Sequence, residues 1–141
     1  MRIQHSPLHG VTVPAERAAT MIDEYPILSV AAATATGVTE MNGISELRVK
    51  ETDRIKVMAE GLLKCGITAK FSDNSMSVLP SKVKGGVLLS AKHDHRIAMS
   101  FLTLGLVAEK PIRVSGCDTI ETSFPNFADK MNQLAVRIFD C

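Results

Sequence analysis

Tryptophan is absent and aromatic residues make up only 4% of the chain, which argues against a surface that stacks nucleic-acid bases on rings. A dominant charge is missing too. Sixteen Lys and Arg face fifteen Asp and Glu, for a formal net charge of +1. Nothing in that balance draws the whole molecule to nucleic acid or to an anionic membrane, and any preference for anions has to be local. Cysteine is sparse: Cys65, Cys117 and Cys141 are odd in number, far apart and form no CxxC pair. That spacing argues against a disulfide framework or zinc knuckle and for a reducing, cytoplasmic setting. The longest apolar run, IAMSFLTLGLVA from Ile97 to Ala108, falls short of the roughly 20 residues of a membrane span. The opening MRIQHSPLHG lacks the apolar stretch of a signal peptide. The expected partners include neither nucleic acid nor membrane.

What is there is ordinary for a soluble globular domain: 45% hydrophobic and 22% charged residues in a chain of 141, enough for one domain or a piece of a longer chain. Helix and strand patterns alternate. PILSVAAATAT (26 to 36) is apolar nearly all round, as a buried helix is, with Gly37 able to end it. GVTEMNGI reads as a short strand. From Thr52 to Cys65, the residues Ile55, Met58, Ala59, Leu62 and Leu63 share one helical face, and Gly66 stands in the stop position. Strands are expected at ITAKFS and SMSVLPS, joined at Asp73-Asn74, and at GGVLLSA. Asp94 sits where a cap belongs ahead of the helix RIAMSFLTLGLVAE, and no chemical role beyond capping is assigned to it. KPIRVSG reads as a strand, Ser123 as the cap of a last helix, FPNFADKMNQL, with Pro125 in its first turn, and AVRIF as a final strand. LAVRIFDC stops without turn or polar tail, as a chain cut short would.

The spacing repeats. Asp23 and Glu51 lie 28 residues apart, and Asp94 and Ser123 lie 29 apart. A duplicated α/β unit is the expectation, with repeats at about 22–80 and 86–141. Two almost wholly apolar helices in so small a chain place helices in the buried layer and sheets outside. Every unusual polar cluster falls at a helix start: DEYP, LRVKETDR, HDHR and ETSFP. Helix starts carry unpaired N–H groups and about half a positive charge, and they bind anions readily. Parallel helices would bring these ends to one face, where Lys50, Arg54 and Arg96 add three cations. Cations at a helix start are mildly unfavourable by about 0.3–1 kcal/mol each, and a bound phosphate or carboxylate would offset that. Asp23 and Glu51 beside them are candidates for proton transfer. His93 and His95 could share one side of a strand as metal ligands, but no third ligand is nearby, so no metal site is expected.

The motifs DEYPILSVAAA, NGISELRVKETDRI, HDHRIAMSF and TSFPNF, in this order and spacing, closely resemble the C-terminal part of the 5-enolpyruvylshikimate-3-phosphate synthase family. The likeness covers essentially all 141 residues and is similar in detail to the glyphosate-tolerant bacterial class. It implies a two-domain fold of repeated βαβαββ units with buried parallel helices and outer sheets, here as a partial C-terminal domain without its N-terminal domain. It implies transfer of the enolpyruvyl group of phosphoenolpyruvate to the 5-hydroxyl of shikimate 3-phosphate, within the shikimate pathway to chorismate and the aromatic amino acids. No organic cofactor or metal is implied. Position by position, the resemblance makes Asp23 the proton acceptor in contact with the shikimate hydroxyls and Lys50 a second contact to that ring. Glu51 becomes the acid that protonates the methylene carbon. Arg54 and Arg96 hold phosphoenolpyruvate, with His95 beside the second.

Two positions depart from the family pattern. Thr122 stands where other members have a lysine, a variation shared by many of the tolerant class, and Glu46 replaces an asparagine. The family's shikimate-phosphate anchors lie in sequence that is not here, so the chain alone is expected to be inactive. Two rival readings stand beside this one. One is the UDP-N-acetylglucosamine enolpyruvyl transferase, whose cysteine and arginine contexts do not match. The other is a non-catalytic remnant that self-associates through the face where a missing domain should dock.

Overall fold

In a computed structural model of the chain, residues 4–134 are described. The elements run β1 (Thr12–Val13), a 3-10 turn (Ala15–Arg17), α1 (Ala18–Met21), α2 (Tyr25–Thr34), β2 (Thr39–Asn42), a 3-10 turn (Ser45–Val49), α3 (Arg54–Lys64), β3 (Thr68–Phe71) and β4 (Ser75–Leu79). After these come β5 (Leu88–Ser90), α4 (His95–Leu104), a 3-10 turn (Gly105–Val107), β6 (Arg113–Ser115), α5 (Ile120–Ser123) and α6 (Phe127–Gln133).

Two sheets flank the helices. One has the strand order β1-β2-β4-β3; the other pairs β5 with β6. β1 and β2 are parallel across α2, as β5 and β6 are across α4, the crossover that parallel strands require. β2, β4 and β3 are antiparallel neighbours, with Met41 opposite Met76 and Ala69 opposite Val78. Their alternation puts Thr39, Met41, Met76 and Val78 on the helix side and leaves Glu40 and Leu79 in solvent. The sheet is therefore an outer layer, and the inner layer is helical.

Each inner helix has a local reason to form. α2 opens with Pro26 in its first turn, where the missing N–H costs nothing. α3 is capped by Asp53, whose carboxylate accepts the Lys56 N–H at 3.0 Å. It buries Ile55, Met58, Ala59 and Leu62, of which the Ile, Met and Leu side chains are worth about 1.5–3 kcal/mol each when fully buried. α4 is capped by Asp94 and buries Ile97, Ala98, Phe101 and Leu104. α3 and α4 cross at Gly61, where a Cβ would stand 2.3 Å from the Phe101 ring. Glycine leaves the space on α3 that the Phe101 ring of α4 fills.

Most of the expected elements between Tyr25 and Ser115 are present, and the α/β class with helices inside holds. The C-terminal reading needs correction. Ser123 caps nothing: it is the last residue of α5, and Phe124 donates its N–H back to the Ile120 carbonyl at 2.7 Å. A residue before proline is pushed out of helical geometry, and Phe124 is indeed non-helical (φ −140°, ψ 78°). Pro125 thus separates two helices and does not open one. α6 begins after Asn126, a left-handed residue at φ 61°. The strand expected at AVRIF lies outside the described residues. The sequence reading also passed over β1, whose two residues carry too short a pattern to notice.

Alanine is the better helix former by about 1 kcal/mol, so Gly61→Ala on an exposed face would stabilise. Here the clash with Phe101 dominates, and overpacking of this kind costs about 1–3 kcal/mol. The melting temperature of the variant is expected to fall; an equal or higher value would contradict the close crossing.

Candidate functional site

The starts of α2, α3 and α4 meet, and the side chain at their junction is Arg54. Its side chain is only 1% exposed, a rare position for a guanidinium unless it is paired. Three carboxylates pair it. Asp94, itself fully buried, accepts from Nε at 2.7 Å and from Nη2 at 3.4 Å. Asp23 accepts from Nη1 at 2.9 Å, and Glu51 accepts from Nη2 at 2.6 Å. Asp23 and Glu51 are 42% and 49% exposed, so the guanidinium has a buried edge on Asp94 and a wetter edge on the other two.

Arg96 approaches from the first turn of α4. Its Nη1 donates to the Asp23 carbonyl at 3.0 Å, and its Nη2 lies 3.3 Å from the Asp23 carboxylate. Glu24 stands 3.6 Å from Nη1. Asp23 therefore bridges both arginines. Burial works to raise its pKa, but the hydrogen bond from Arg54 and the charges of Arg96, Arg54 and Lys50 outweigh that and hold it below the ordinary 3.8. Arg54 responds in kind. Burial disfavours its charge, yet the hydrogen bond and charge of Asp94, with help from Asp23 and Glu51, keep the guanidinium more firmly protonated than usual.

The six charges of ELRVKETDR now separate into jobs. Arg48 and Asp53 are structural: Arg48 bonds the Asp53 carboxylate at 2.6 Å and the Ser72 and Asp73 carbonyls at 2.8 and 3.1 Å. This ties the loop to the β3–β4 turn, while Asp53 caps α3. Lys50 bonds Glu46 at 2.7 Å and so is not the free cation expected, though its charge still reaches Asp23. Glu51 and Arg54 belong to the junction. The expectation that a ligand must offset the cations is revised here, because internal carboxylates already do so.

Four of the sequence-chosen residues, Asp23, Glu51, Arg54 and Arg96, are joined by direct contacts, and Lys50 acts on Asp23 through its charge alone. His95 opens α4 beside Arg96, partly exposed. The fourth helix, α6, starts at Phe127 behind Pro125, and none of the hydrogen bonds or ion pairs described at the junction comes from it. Sequence reasoning missed the second role of Asp94 and the presence of Glu24. Asp94 lies 40 residues from Arg54, and a capping aspartate looks the same whether or not a cation sits behind it. His93 pairs with Asp118 at 2.9 Å, and among the described residues no group of three or more His, Cys, Asp or Glu could hold a metal. A groove on the outer sheet lined by Glu40, Asn42, Lys70 and Ser77 shares no residue with the junction. Cys65 is buried, which pushes its thiol pKa up and leaves it a poor nucleophile. Among the described residues no helix is long and apolar enough to cross a membrane.

A family model described as EPSP synthase (3-phosphoshikimate 1-carboxyvinyltransferase) matches residues 1–131. A curated relative from Cereibacter sphaeroides, a 3-phosphoshikimate 1-carboxyvinyltransferase, is 52% identical over 135 residues, covering 95% of this chain and 30% of its own length. One of the same name from Paramagnetospirillum magneticum is 47% identical over 141 residues, covering 96% and 31%. A solved EPSP synthase from Acinetobacter baumannii superposes with a TM-score of 0.85 at 40% identity, covering 90% of this chain and 30% of that one. The chain thus spans about 30% of the length of the curated relatives it matches.

Two stability predictions arise from the junction. Removing one partner of a buried pair leaves an uncompensated charge, so Arg54→Ala is expected to cost about 3–5 kcal/mol in chemical denaturation. Adding Asp94→Asn to it should cost less than the two single changes together. The second concerns acid. Because the folded pKa of Asp23 lies below its ordinary value, its contribution is complete above about pH 4 and is lost as pH falls through the folded value. Asp23→Asn should therefore be less stable at pH 7, with the difference closing below about pH 4. A gap that stays constant with pH would show that the arginine contacts do not stabilise the ionised form.

Proposed function

This chain belongs to the EPSP synthase family, and we propose on that premise that it supplies one wall of an enolpyruvyl transferase site. The enzyme would move the enolpyruvyl group of phosphoenolpyruvate onto the 5-hydroxyl of shikimate 3-phosphate, in the cytoplasm, on the route to chorismate and the aromatic amino acids. The single observation that carries this reading is Asp23 bridging Arg54 and Arg96 with Glu51 on the same guanidinium. Two cations and two exposed acids then share one small region. Phosphoenolpyruvate offers a phosphate and a carboxylate, and planar guanidinium forks match both.

The chemistry assigns each group a task. Asp23, ionised at neutral pH, accepts the proton of the 5-hydroxyl as its oxygen bonds to C2 of phosphoenolpyruvate. Glu51 delivers a proton to the methylene carbon, which becomes a methyl group. The C2–O bond to phosphate then breaks, the departing phosphate takes the proton held by Asp23, and the methyl returns a proton to Glu51 as the double bond re-forms. Lys50 contacts the shikimate ring hydroxyls, and His95 flanks Arg96 at the donor. The reaction needs one carboxylate as base and one carboxyl as acid within a single site, and Asp23 and Glu51 are the two that flank the arginines.

We read the chain as a partial C-terminal domain of two units at about 22–80 and 86–141. The order strand, helix, strand, helix, strand, strand, and then strand, helix, strand, helix supports this, with Thr12–Val13 extending the first unit forward. The remaining partner is the N-terminal domain, whose docking face would otherwise be free to self-associate.

A chimera tests the proposal. This chain replaces the matching segment of the Cereibacter sphaeroides relative, and phosphate release is followed with both substrates. Turnover is expected in the chimera and none in the 141-residue chain alone. Glu51→Gln and Asp23→Asn should each lower kcat by about 10²–10⁴-fold, and Arg54→Lys should raise KM for phosphoenolpyruvate. A folded chimera that binds shikimate 3-phosphate without turning over would overturn the assignment, as would turnover by the isolated chain.

A further inference from the structure

The partners of Arg54 are of two kinds, and the difference has a consequence for binding. Asp94 is fully buried. It accepts not only from Nε of Arg54 but also from the backbone N–H groups of Arg96 and Ile97, at 2.9 and 3.3 Å. The turn that presents it is held in an unusual shape: Lys92 and His93 both have positive φ, at 54° and 59°. The Asp94 N–H bonds the Ala91 carbonyl at 3.0 Å, and His93 is tied to Asp118. Moving Asp94 would unpair the start of α4 and undo that turn. Asp23 and Glu51 are instead nearly half exposed, and beyond the two arginines no further hydrogen bond fixes either carboxylate among the described contacts.

We propose that Asp94 is the positioning residue of the anion site, and that Glu51 and Asp23 are resident occupants of the Arg54 fork which an incoming anion displaces. The proposal rests on the reading of this junction as the phosphoenolpyruvate site. Three carboxylates already surround one guanidinium, and Glu24 adds a fourth negative charge at Arg96. An anion cannot be added to that set at short range against such repulsion; it has to replace part of it. Only the wet edge can be replaced. The dry edge keeps Nε on Asp94, so the Nη1 and Nη2 donors stay aimed at the cleft while their acceptors change. The two acids assigned to proton transfer are thereby released from the arginine by the same event that loads the substrate.

The opposite signs of two variants make this testable in the 141-residue chain itself, with phosphoenolpyruvate as the probe in a calorimetric or NMR titration. Glu51→Gln removes a competitor and should tighten binding by about fivefold or more. Asp94→Asn keeps a capping oxygen but puts an amide against Nε–H, and should weaken binding by about tenfold or more. The Arg54 Nε–H resonance reads the positioning directly. It should stay in place when phosphoenolpyruvate saturates the wild-type chain and in Glu51→Gln, and should shift in Asp94→Asn. The resonance in Glu51→Gln carries the test if Asp94→Asn does not fold. Weaker or unchanged binding in Glu51→Gln overturns the exchange, as does an Nε–H signal that moves on ligand binding, or no binding in wild type and variants alike. The chimera above tests the catalytic assignment separately: turnover there with no tightening in Glu51→Gln would retire the exchange and leave the assignment standing.

Discussion

A guanidinium buried at the meeting point of three helix starts is the constraint on which this structure depends. Arg54 cannot be left unpaired at that depth, because an isolated buried charge is far more costly than the fold can absorb. Its needs are met from three different places in the chain: the turn before α2, the loop before α3 and the cap of α4. Satisfying one side chain therefore fixes three helices in register at their first turns. The apolar packing of Ile55, Met58, Phe101 and their neighbours supplies most of the driving force. It is non-directional, and the charged junction decides which ends lie together.

That arrangement also accounts for the inverted layering. α2 and α4 are apolar along most of their length, and α3 buries one apolar face while Lys56 and Glu60 stay in solvent, so the apolar faces can be covered as long as the helix starts reach the surface. The sheets cover the remaining flanks and keep one wet face each. A site assembled from helix starts then opens at the end of the inner layer, where backbone donors, arginines and acids coincide. Gly61 shows how tight the inner layer is, since a single methyl group would collide with Phe101.

Much of this was legible in residue order. The motif DEYP places Asp23 just before a helix, KETDR places Glu51 and Arg54 at the start of another, and HDHR places Arg96 in the first turn of a third. Helical periodicity and capping preferences operate over three or four residues and can be read locally. The last helix was misread for an equally local reason. Ser123 has the chemistry of a cap, but the restriction that Pro125 places on Phe124 is stronger, and the chain turns again before α6 can begin.

The sequence by itself determined which residues carry charge, where the three central helices begin, and that the apolar stripes must face inward. Only the tertiary structure decided who neutralises whom. Lys50 is taken by Glu46, Arg48 by Asp53, and Arg54 by an aspartate 40 residues away. The first two pairs are local choices among neighbouring charges, whereas the pairing of Arg54 with Asp94, and with Asp23, 31 residues away, follows from how the backbone brings distant segments together. Capping leaves no trace in an aspartate to say which cation will stand behind it.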